Sequence, residues 1–566
     1  MLIILLSWIY IIFTSINFGL VTDSVFRLRN KNFAVTAFLG LFSITILASI
    51  WAFFGRINSE FHIILLLTNI LIFYNYRSLL AASYKSLCTS IVALSNGLKI
   101  LLSIYLFLLI AQSSTAPYVI DNESYYIQTI KWFNEYGFVK GLANLHLYLG
   151  QASGWHVTQS VFNFSFLYPN LNDLSGFCLL LGLLFSIEKL EEFHKNSEIN
   201  YLLMGAFPLA SVYFFQFISA PSPDIPIYVL TFVVLFYFLE NFKNCPPEKF
   251  NLIVILVLFM LYIKSTSIVF AFLPVVLLFQ NFKILSKKLV IPSLISILIL
   301  VLFISKNMMV SGSIFFPSKF LASLSIDYSI PKIIESNYYN LITYFGYQLT
   351  PTQYEAMAAH ELVLHWISLP KINGLFNKLS LLILFISPFF IFKFYNKKSL
   401  WVLYIFMVLQ LILLLSTSPQ YRFFMNFTIF FGLFCLICLF RKRNLILLLH
   451  FAGAVPVAFL LYFTVSFSAL TNNKFMTENS TFSLKMLVKP EPNTKIKTNF
   501  EVIELGNLKY NSPLENEFFY GTSDGLLPCV NKVQIEYFRK NYGYIPQMRT
   551  TDLKDGFYSK KIAADE

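Results

Sequence analysis

Apolar residues come in long blocks along the chain, and short segments between the blocks carry most of the charges. A helix needs about 20 mostly apolar residues to cross the hydrocarbon core of a bilayer. Backbone groups within lipid must satisfy one another, so these blocks predict helices and not strands. We count about fourteen: 1–20, 34–53, 60–76, 91–111, 172–188, 199–218, 225–242, 250–264, 267–282, 289–305, 379–396, 399–416, 423–440 and 444–467.

Two of these predicted spans have special features. The first block lacks a basic leading segment and a small-residue cleavage site, which indicates a retained span and not a signal peptide. The two short blocks on either side of Lys264 predict a broken or re-entrant pair.

The composition supports the same fold class, an all-α polytopic membrane protein. Charged residues make up 13% of the 566 residues, whereas soluble domains average about 25%. The net charge of +13 would suggest nucleic acid as a partner for a soluble protein. Here the basic residues lie mostly in short loops, where they orient helices, so we expect a bilayer and no nucleic acid as partner.

The basic residues also predict which loops face the cytoplasm. Seven loops of the same parity are basic: those with Arg27, Arg29 and Lys31; Arg77 and Lys85; Lys189 and Lys195; Lys243 and Lys249; Lys283, Lys287 and Lys288; Lys393, Lys397 and Lys398; and Arg441, Lys442 and Arg443. By the positive-inside rule these loops are cytoplasmic. Both termini, the loops 112–171, 219–224, 306–378 and 416–422, and the tail 468–566 are then extracytoplasmic.

We predict three regions: an N-terminal transmembrane module (1–90), a transmembrane core with two long outer loops (91–467), and a C-terminal extracytoplasmic domain (468–566). The tail is far more charged than the spans and has turn signals such as Ser523-Asp524-Gly525. Phe500–Leu505 is typical of a strand. The tail therefore predicts a small α+β or mostly β domain.

The outer loop 119–164 holds the densest group of chemically active side chains. Asp121 and Glu123 open a segment with helical apolar spacing, and Asn144, His146 and His156 follow. An acid at a helix start can simply cap it. Two acids beside the membrane surface, followed by this polar set, favour a functional site instead.

Further candidates lie in other outward segments. Asp224 follows the proline-rich turn 219–223, where a helix cap and a functional acid are equally good interpretations. Lys264 interrupts an apolar stretch, Lys306 ends the tenth block, and Arg422 begins the thirteenth. Each cation could snorkel to lipid headgroups. Lys264 and Arg422 fit this interpretation less well, because the positive-inside rule disfavours cations on the outer side. Carboxylates can act as general bases, and Lys and Arg can bind a phosphate leaving group.

This pattern resembles the GT-C superfamily, polytopic glycosyltransferases that use lipid-phosphate-linked sugars. The closest resemblance is to a family of uncharacterised GT-C-like bacterial membrane proteins, and it runs from about the fourth span to the C-terminus. The matching segments are 121–125, 130–132, 135–137, 141–146, 222–224, 263–265, 421–423, 527–529 and 555–557.

The resemblance implies an inverting glycosyltransferase in the bacterial inner membrane. It would transfer a sugar from a polyprenyl-phosphate donor to a glycan, lipid or protein acceptor on the outer face. The superfamily's acid corresponds to Asp121, with Glu123 as a substitute. Asp224, Asn144, His146 and His156 would bind sugar or acceptor, and Lys264, Arg422 and Lys306 the phosphate. We assign no metal ligands, and the resemblance leaves a divalent cation open. The rival hypotheses are a flippase, polymerase or transporter of lipid-linked glycan, and a non-catalytic membrane scaffold.

Overall fold

The computed structural model describes residues 1–168, 171–317, 326–395, 397–471, 477–514 and 518–562. Most of the described chain is helical, with a small β region near the C-terminus. The α-helices are α1 (Leu2–Phe26), α2 (Phe33–Ala52), α3 (Ser59–Ala93), α4 (Asn96–Ser113), α5 (Ile127–Glu135), α6 (Gly154–Phe162), α7 (Leu174–Asn196), α8 (Ile199–Gly205), α9 (Ser211–Phe214), α10 (Asp224–Asn241), α11 (Pro247–Ile263), α12 (Phe272–Gln280), α13 (Phe282–Leu285), α14 (Val290–Ser311), α15 (Lys332–Tyr347), α16 (Pro351–Glu355), α17 (Ala359–Ser368), α18 (Lys371–Phe394), α19 (Lys398–Ser416), α20 (Tyr421–Leu439), α21 (Arg443–Tyr462) and α22 (Lys532–Tyr542).

Shorter elements connect them. A π-helical turn, Asn122–Tyr126, leads directly into α5. The 3₁₀ segments are Leu142–Asn144, Leu147–Gln151, Phe207–Ala210, Phe215–Phe217, Ser265–Ala271, Ser286–Lys288, Leu484–Leu487 and Leu553–Asp555, and the strands are β1 (Phe500–Leu505), β2 (Leu508–Pro513), β3 (Tyr544–Met548) and β4 (Phe557–Lys561).

The helices agree with a polytopic membrane protein, whereas the predicted number of about fourteen spans is not confirmed. Within the described residues, eleven helical segments are long and apolar enough to cross a membrane, or twelve if one bent pair counts as a span. Of the predicted blocks, α7 carries several charges in its second half and α11 has only 17 residues. The predicted loop with Arg77 and Lys85 is instead helical, since α3 continues through a kink at Tyr76 to Ala93.

The predicted break at Lys264 is present. α11 ends at Ile263, Lys264 has an extended backbone, and the 3₁₀ segment Ser265–Ala271 follows. A second bend, of 92°, separates Ser265–Gln280 from Phe282–Lys288.

Basic loops predicted to be cytoplasmic meet one another at one end of the helical bundle. Arg29 after α1 pairs with Glu248 at the start of α11, at 3.2 Å. Arg443 at the start of α21 pairs with Glu191 near the end of α7. The loops therefore share one end, as their common parity requires, and which side of a membrane this end faces stays a prediction.

The first helices pack closely onto the core. At Gly19 and Gly40 an added Cβ would overlap backbone of the opposite helix, so α1 and α2 are in close backbone contact. The Thr45 hydroxyl of α2 lies 2.5 Å from the Thr158 hydroxyl of α6. Residues 1–90, predicted as a separate module, are thus joined to the outer loop and the core by buried contacts.

The tail contains both helix and strand. Of the two predicted types, α+β and mostly β, it therefore corresponds to α+β. β1 pairs antiparallel with β2, and β3 pairs antiparallel with β4, while α22 lies between the two hairpins in the chain. The strand predicted at Phe500–Leu505 is β1.

Apolar side chains of the tail pack together with those of the outer loop. The larger of the clusters that they form, called the shared core, contains Trp132, Val139, Leu142, Leu145, Leu149, Leu508, Tyr510, Val530, Ile535, Met548 and Phe557. The rings of Trp132 and Phe557 meet edge to face with centroids 5.8 Å apart. The backbone amide of Phe557 also donates to the carbonyl of Lys140 at 2.9 Å. The tail is therefore fixed directly over the loop that contains Asp121.

Candidate functional site

Asp121 stands just before the π-helical turn that opens the helix predicted in the outer loop. Its side chain makes no capping hydrogen bond there, so Asp121 does not have the role of a helix cap that the sequence also suggested. Its Oδ2 pairs with Nη1 of Arg422, which is 301 residues away in sequence. The hydroxyl of Tyr126 donates to the same oxygen at 3.4 Å.

Arg422 reaches both acids from the first turn of α20. Besides Asp121, its Nη1 lies 3.8 Å from Oδ2 of Asp224. Its Nε donates to Oε1 of Gln420 at 3.1 Å, and its backbone carbonyl accepts from the Tyr228 hydroxyl at 2.9 Å. The guanidinium is thus held in place by partners on α10, the outer loop and the turn before α20.

Asp224 is the first residue of α10, and the N-cap residue of this helix is Pro223. Oδ1 of Asp224 pairs with Nζ of Lys264 at the break after α11. The Lys264 ammonium also lies 4.0 Å from the ring centroid of Phe423, and the Arg422 guanidinium lies 5.1 Å from the same ring. The broken helix thus brings a second cation, besides Arg422, to the Asp224 carboxylate.

These four residues, Asp121, Asp224, Lys264 and Arg422, form what we call the charge cluster. Their side chains are 16%, 3%, 19% and 20% exposed, respectively, and the two negative charges balance the two positive ones. Removing charges from water costs several kcal/mol per ion, which pairing must offset. Beside the cluster lies a cavity of only about 10 Å³, lined in part by Asp224, Lys264, Arg422 and Phe423, or room for about one water molecule.

Glu123, predicted as a substitute for Asp121, lies elsewhere. Its side chain is 1% exposed, and its Oε2 accepts from the Thr494 hydroxyl at 2.7 Å. Its backbone carbonyl accepts from the amides of Thr522 and Ser523, both at 2.9 Å. Burial raises the pKa of the Glu123 carboxyl to about 7. The structure therefore places Glu123 at the junction with the tail, away from the charge cluster.

Asn144 and His146 also bind the tail. The amide of Asn144 donates to the carbonyl of Tyr328 at 2.8 Å, and its Oδ1 accepts from the Ser559 hydroxyl at 2.7 Å. Nε2 of His146 lies 3.1 Å from the carbonyl oxygen of Tyr520, and burial lowers the pKa of His146 to about 4. In this structure both residues make interdomain contacts.

His156 and Lys306 form a second buried pair of polar residues. Lys306 donates to the carbonyl of Ala152 and lies 4.9 Å from the ring of Tyr262. The pKa of His156 falls to about 3, first because of burial and then because of the nearby Lys306 charge. His156 packs against the ring of Tyr126, with centroids 4.8 Å apart. Neither residue takes part in the ion pairs of the charge cluster.

A group of tyrosines next to Asp121 was missed by our reading of the sequence. Tyr125 and Tyr148 come from the outer loop, Tyr338 from α15 and Tyr520 from the tail, and each ring contacts that of Tyr148. The sequence signal for this group was the large number of tyrosines, 32 in the chain. That number does not predict which of the tyrosines contact one another.

Over the described ranges, no group of three or more His, Cys, Asp or Glu side chains lies close enough to hold a metal ion. Among the described residues we therefore identify no set of ligands for the divalent cation that the resemblance leaves open.

The helices and the buried charge cluster at one end of the bundle define a class: a multi-pass α-helical membrane protein with an ionic site at one end of its helices. The chain belongs to the family described as "Domain of unknown function (DUF8201)", which matches residues 1–429. The match begins with the first helix and contains all four residues of the charge cluster, and it ends before the tail. Comparison with curated proteins gives no match. Comparison with solved structures gives none either.

Proposed function

We propose that this protein is a GT-C-type inverting glycosyltransferase of the bacterial inner membrane. It transfers a sugar from a polyprenyl-phosphate donor to an acceptor hydroxyl on the outer face. The observation that supports this proposal is the charge cluster: two carboxylates and two cations, from four distant parts of the chain, paired at one end of the bundle. Asp121 makes no side-chain capping hydrogen bond, and the N-cap residue of α10 is Pro223 and not Asp224.

Lys264 and Arg422 bind the donor phosphate in this proposal. Both cations lie at helix starts or breaks next to apolar helices, where a lipid phosphate can approach with its chain in the bilayer. The donor phosphodiester carries one negative charge, as the Asp121 carboxylate does, and its oxygens accept several hydrogen bonds from Arg and Lys. Its entry would open the cluster, which has room for about one water molecule beside it.

Asp121 then acts as the base. Once the phosphate takes Arg422, the Asp121 carboxylate is free to accept the proton of the acceptor hydroxyl. The acceptor oxygen forms a bond to the anomeric carbon, and the bond from that carbon to the phosphate oxygen breaks. The electron pair leaves with the lipid phosphate, whose charge Arg422 and Lys264 stabilise. Asp224 keeps both cations in position through its two oxygens.

The proposal is tested with the full-length protein in nanodiscs. Radiolabelled polyprenyl-phosphate hexoses serve as donors, and the release of polyprenyl phosphate and the transfer of label are measured. We expect Asp121→Asn to lower transfer at least 100-fold while donor binding persists, and Arg422→Gln to weaken donor binding. The matched control is Asp327→Asn, an exposed acid on the second outer loop, which should transfer normally.

The rival functions predict different results. A flippase or transporter needs the cations and no base, so it would bind the donor in nanodiscs without releasing polyprenyl phosphate. In proteoliposomes its Asp121→Asn variant would still move lipid-linked sugar across the membrane. A scaffold would bind no donor. Transfer at a near-normal rate by Asp121→Asn would refute the role of Asp121.

A further inference from the structure

Four tyrosine rings from three separate parts of the chain meet beside Asp121. The Tyr148 ring stacks on that of Tyr125, with centroids 5.0 Å apart and planes at 24°. Tyr520 of the tail meets Tyr148 at 4.5 Å and 60°, and Tyr338 of α15 meets it at 5.6 Å and 74°. We call these four residues the tyrosine cluster. One ring is stacked on Tyr148 and two meet it edge to face, so the other three rings contact it on several sides.

The tyrosine cluster is continuous with the charge cluster. The ring of Tyr125 lies 4.7 Å from that of Tyr126, whose hydroxyl bonds to Asp121. Burial, and after it the negative charge of Asp121, raises the pKa of Tyr148. An acceptor group held by these rings would therefore lie next to the proposed base.

The rings are accessible in part and are not a closed apolar core. Tyr125, Tyr148 and Tyr520 are each half-buried, whereas Tyr338 is 1% exposed. The amide of Gln151 donates to the Tyr338 hydroxyl at 2.8 Å. Tyrosine combines a large apolar face with a hydroxyl that donates and accepts hydrogen bonds. The cluster thus offers apolar faces and polar groups within a few ångströms of one another.

A pyranose ring has the complementary surface, with C–H groups on its faces and hydroxyls around its edge. An acyl chain offers no hydrogen bond to the hydroxyls of the tyrosine cluster, at a cost for each hydroxyl left unpaired. A basic peptide would be attracted to unpaired acids, whereas the nearby acids of the charge cluster are paired with cations.

We propose that the tyrosine cluster is the acceptor subsite and that it binds a carbohydrate ring. This inference rests on the proposed function and narrows its acceptor from glycan, lipid or protein to glycan. It also gives the tail a role in binding, since Tyr520 contributes one side of the subsite.

The test is saturation-transfer NMR on the full-length protein in nanodiscs. The probes are methyl glycosides and disaccharides of glucose, galactose and N-acetylglucosamine. We expect transfer of saturation to the ring C–H protons of at least one probe, and at least a tenfold weaker affinity in Tyr148→Ala. Tyr148→Phe keeps the ring and its packing, and it should weaken binding several-fold. Tyr213→Ala, a tyrosine 42% exposed outside the cluster, is the control and should bind normally.

Two outcomes would overturn the inference: no saturation transfer from the wild-type protein to any probe, or unchanged binding by both Tyr148 variants. Failure here can be told apart from failure of the proposed function. Tyr148→Ala should still bind polyprenyl phosphate, and Arg422→Gln should still bind the saccharide. Transfer of sugar to a lipid acceptor without any saccharide binding would leave the glycosyltransferase proposal standing and refute the glycan subsite.

Discussion

Replacing Arg422 with glutamine removes one of the two cations that balance the charge cluster. Arg422 is the only member that pairs with both acids, so its loss leaves Asp121 unpaired within the cluster and leaves Asp224 with Lys264 alone. Since Asp121 and Arg422 are only 16% and 20% exposed, water can compensate little. Breaking a pair buried to this degree costs about 3–5 kcal/mol.

Asp121→Asn should cost less, because Arg422 keeps Asp224 as a partner at 3.8 Å. The net charge of the cluster is +1 in Asp121→Asn, −1 in Arg422→Gln, and zero in the double variant that carries both substitutions. We therefore expect the double variant to be more stable than the sum of the single effects predicts, with a coupling free energy of about 2–3 kcal/mol.

The assay is equilibrium unfolding by SDS in mixed micelles, followed by tryptophan fluorescence. The matched control is Arg56→Gln, which removes a surface pair whose two side chains are 44% and 49% exposed and should cost less than about 1 kcal/mol. If the effects of Asp121→Asn and Arg422→Gln add within about 0.5 kcal/mol, the two side chains do not interact, and the reasoning is refuted.

Three further outcomes follow from other parts of the molecule. Phe557→Ala should cost about 3–5 kcal/mol in the shared core and release the tail to limited proteolysis, whereas Tyr558→Ala, on the other face of β4, should leave the digestion pattern unchanged. Gly40→Ala should destabilise the α1–α2 contact by about 1–3 kcal/mol and lower the yield of monodisperse protein. The control is Gly453→Ala, because a Cβ added there would have its nearest neighbouring atom 4.0 Å away. Equal yields of the two variants would contradict the close contact. Because the pKa of Glu123 is raised to about 7 in the folded protein, the folded state binds its proton more tightly than the unfolded state, so this residue favours stability at low pH and its contribution falls between about pH 4.5 and 7. The tail should then resist protease better at pH 5 than at pH 7.5, because the free energy needed to open it is higher at pH 5 by up to roughly 3 kcal/mol. Glu123→Gln should remove most of this difference. An identical pH dependence in that variant would exclude Glu123 as its source.

The helices could be predicted because their signal is local. Apolar blocks and basic loops showed where α10, α14 and α20 lie, and even the break at Lys264 was visible, since a charged residue interrupts an apolar stretch. The count of spans was less certain, because α7 carries charges and α11 is short. The continuation of α3 past Tyr76 was missed, since Arg77 and Lys85 suggested a loop.

The candidate site was predicted in its residue types and not in its contacts. Asp121, Asp224, Lys264 and Arg422 were all chosen as polar residues in outward segments, and the structure brings these four together. Glu123, Asn144 and His146 looked equally suitable, yet they bind the tail. The difference lies in pairings between residues as far apart as Asn144 and Ser559, and no local pattern reports such pairings. The same reason hid the tyrosine cluster.

The shared core has a consequence for how the family can diversify. The family match ends at residue 429, yet Trp132 and Leu142 on one side of that limit pack with Tyr510 and Phe557 on the other. A recombination point near residue 429 would therefore separate partners of a single buried cluster. Exchanging the tail for an unrelated one would leave large apolar side chains of the outer loop exposed. Tail and loop should thus be inherited together, with substitutions in one compensated in the other.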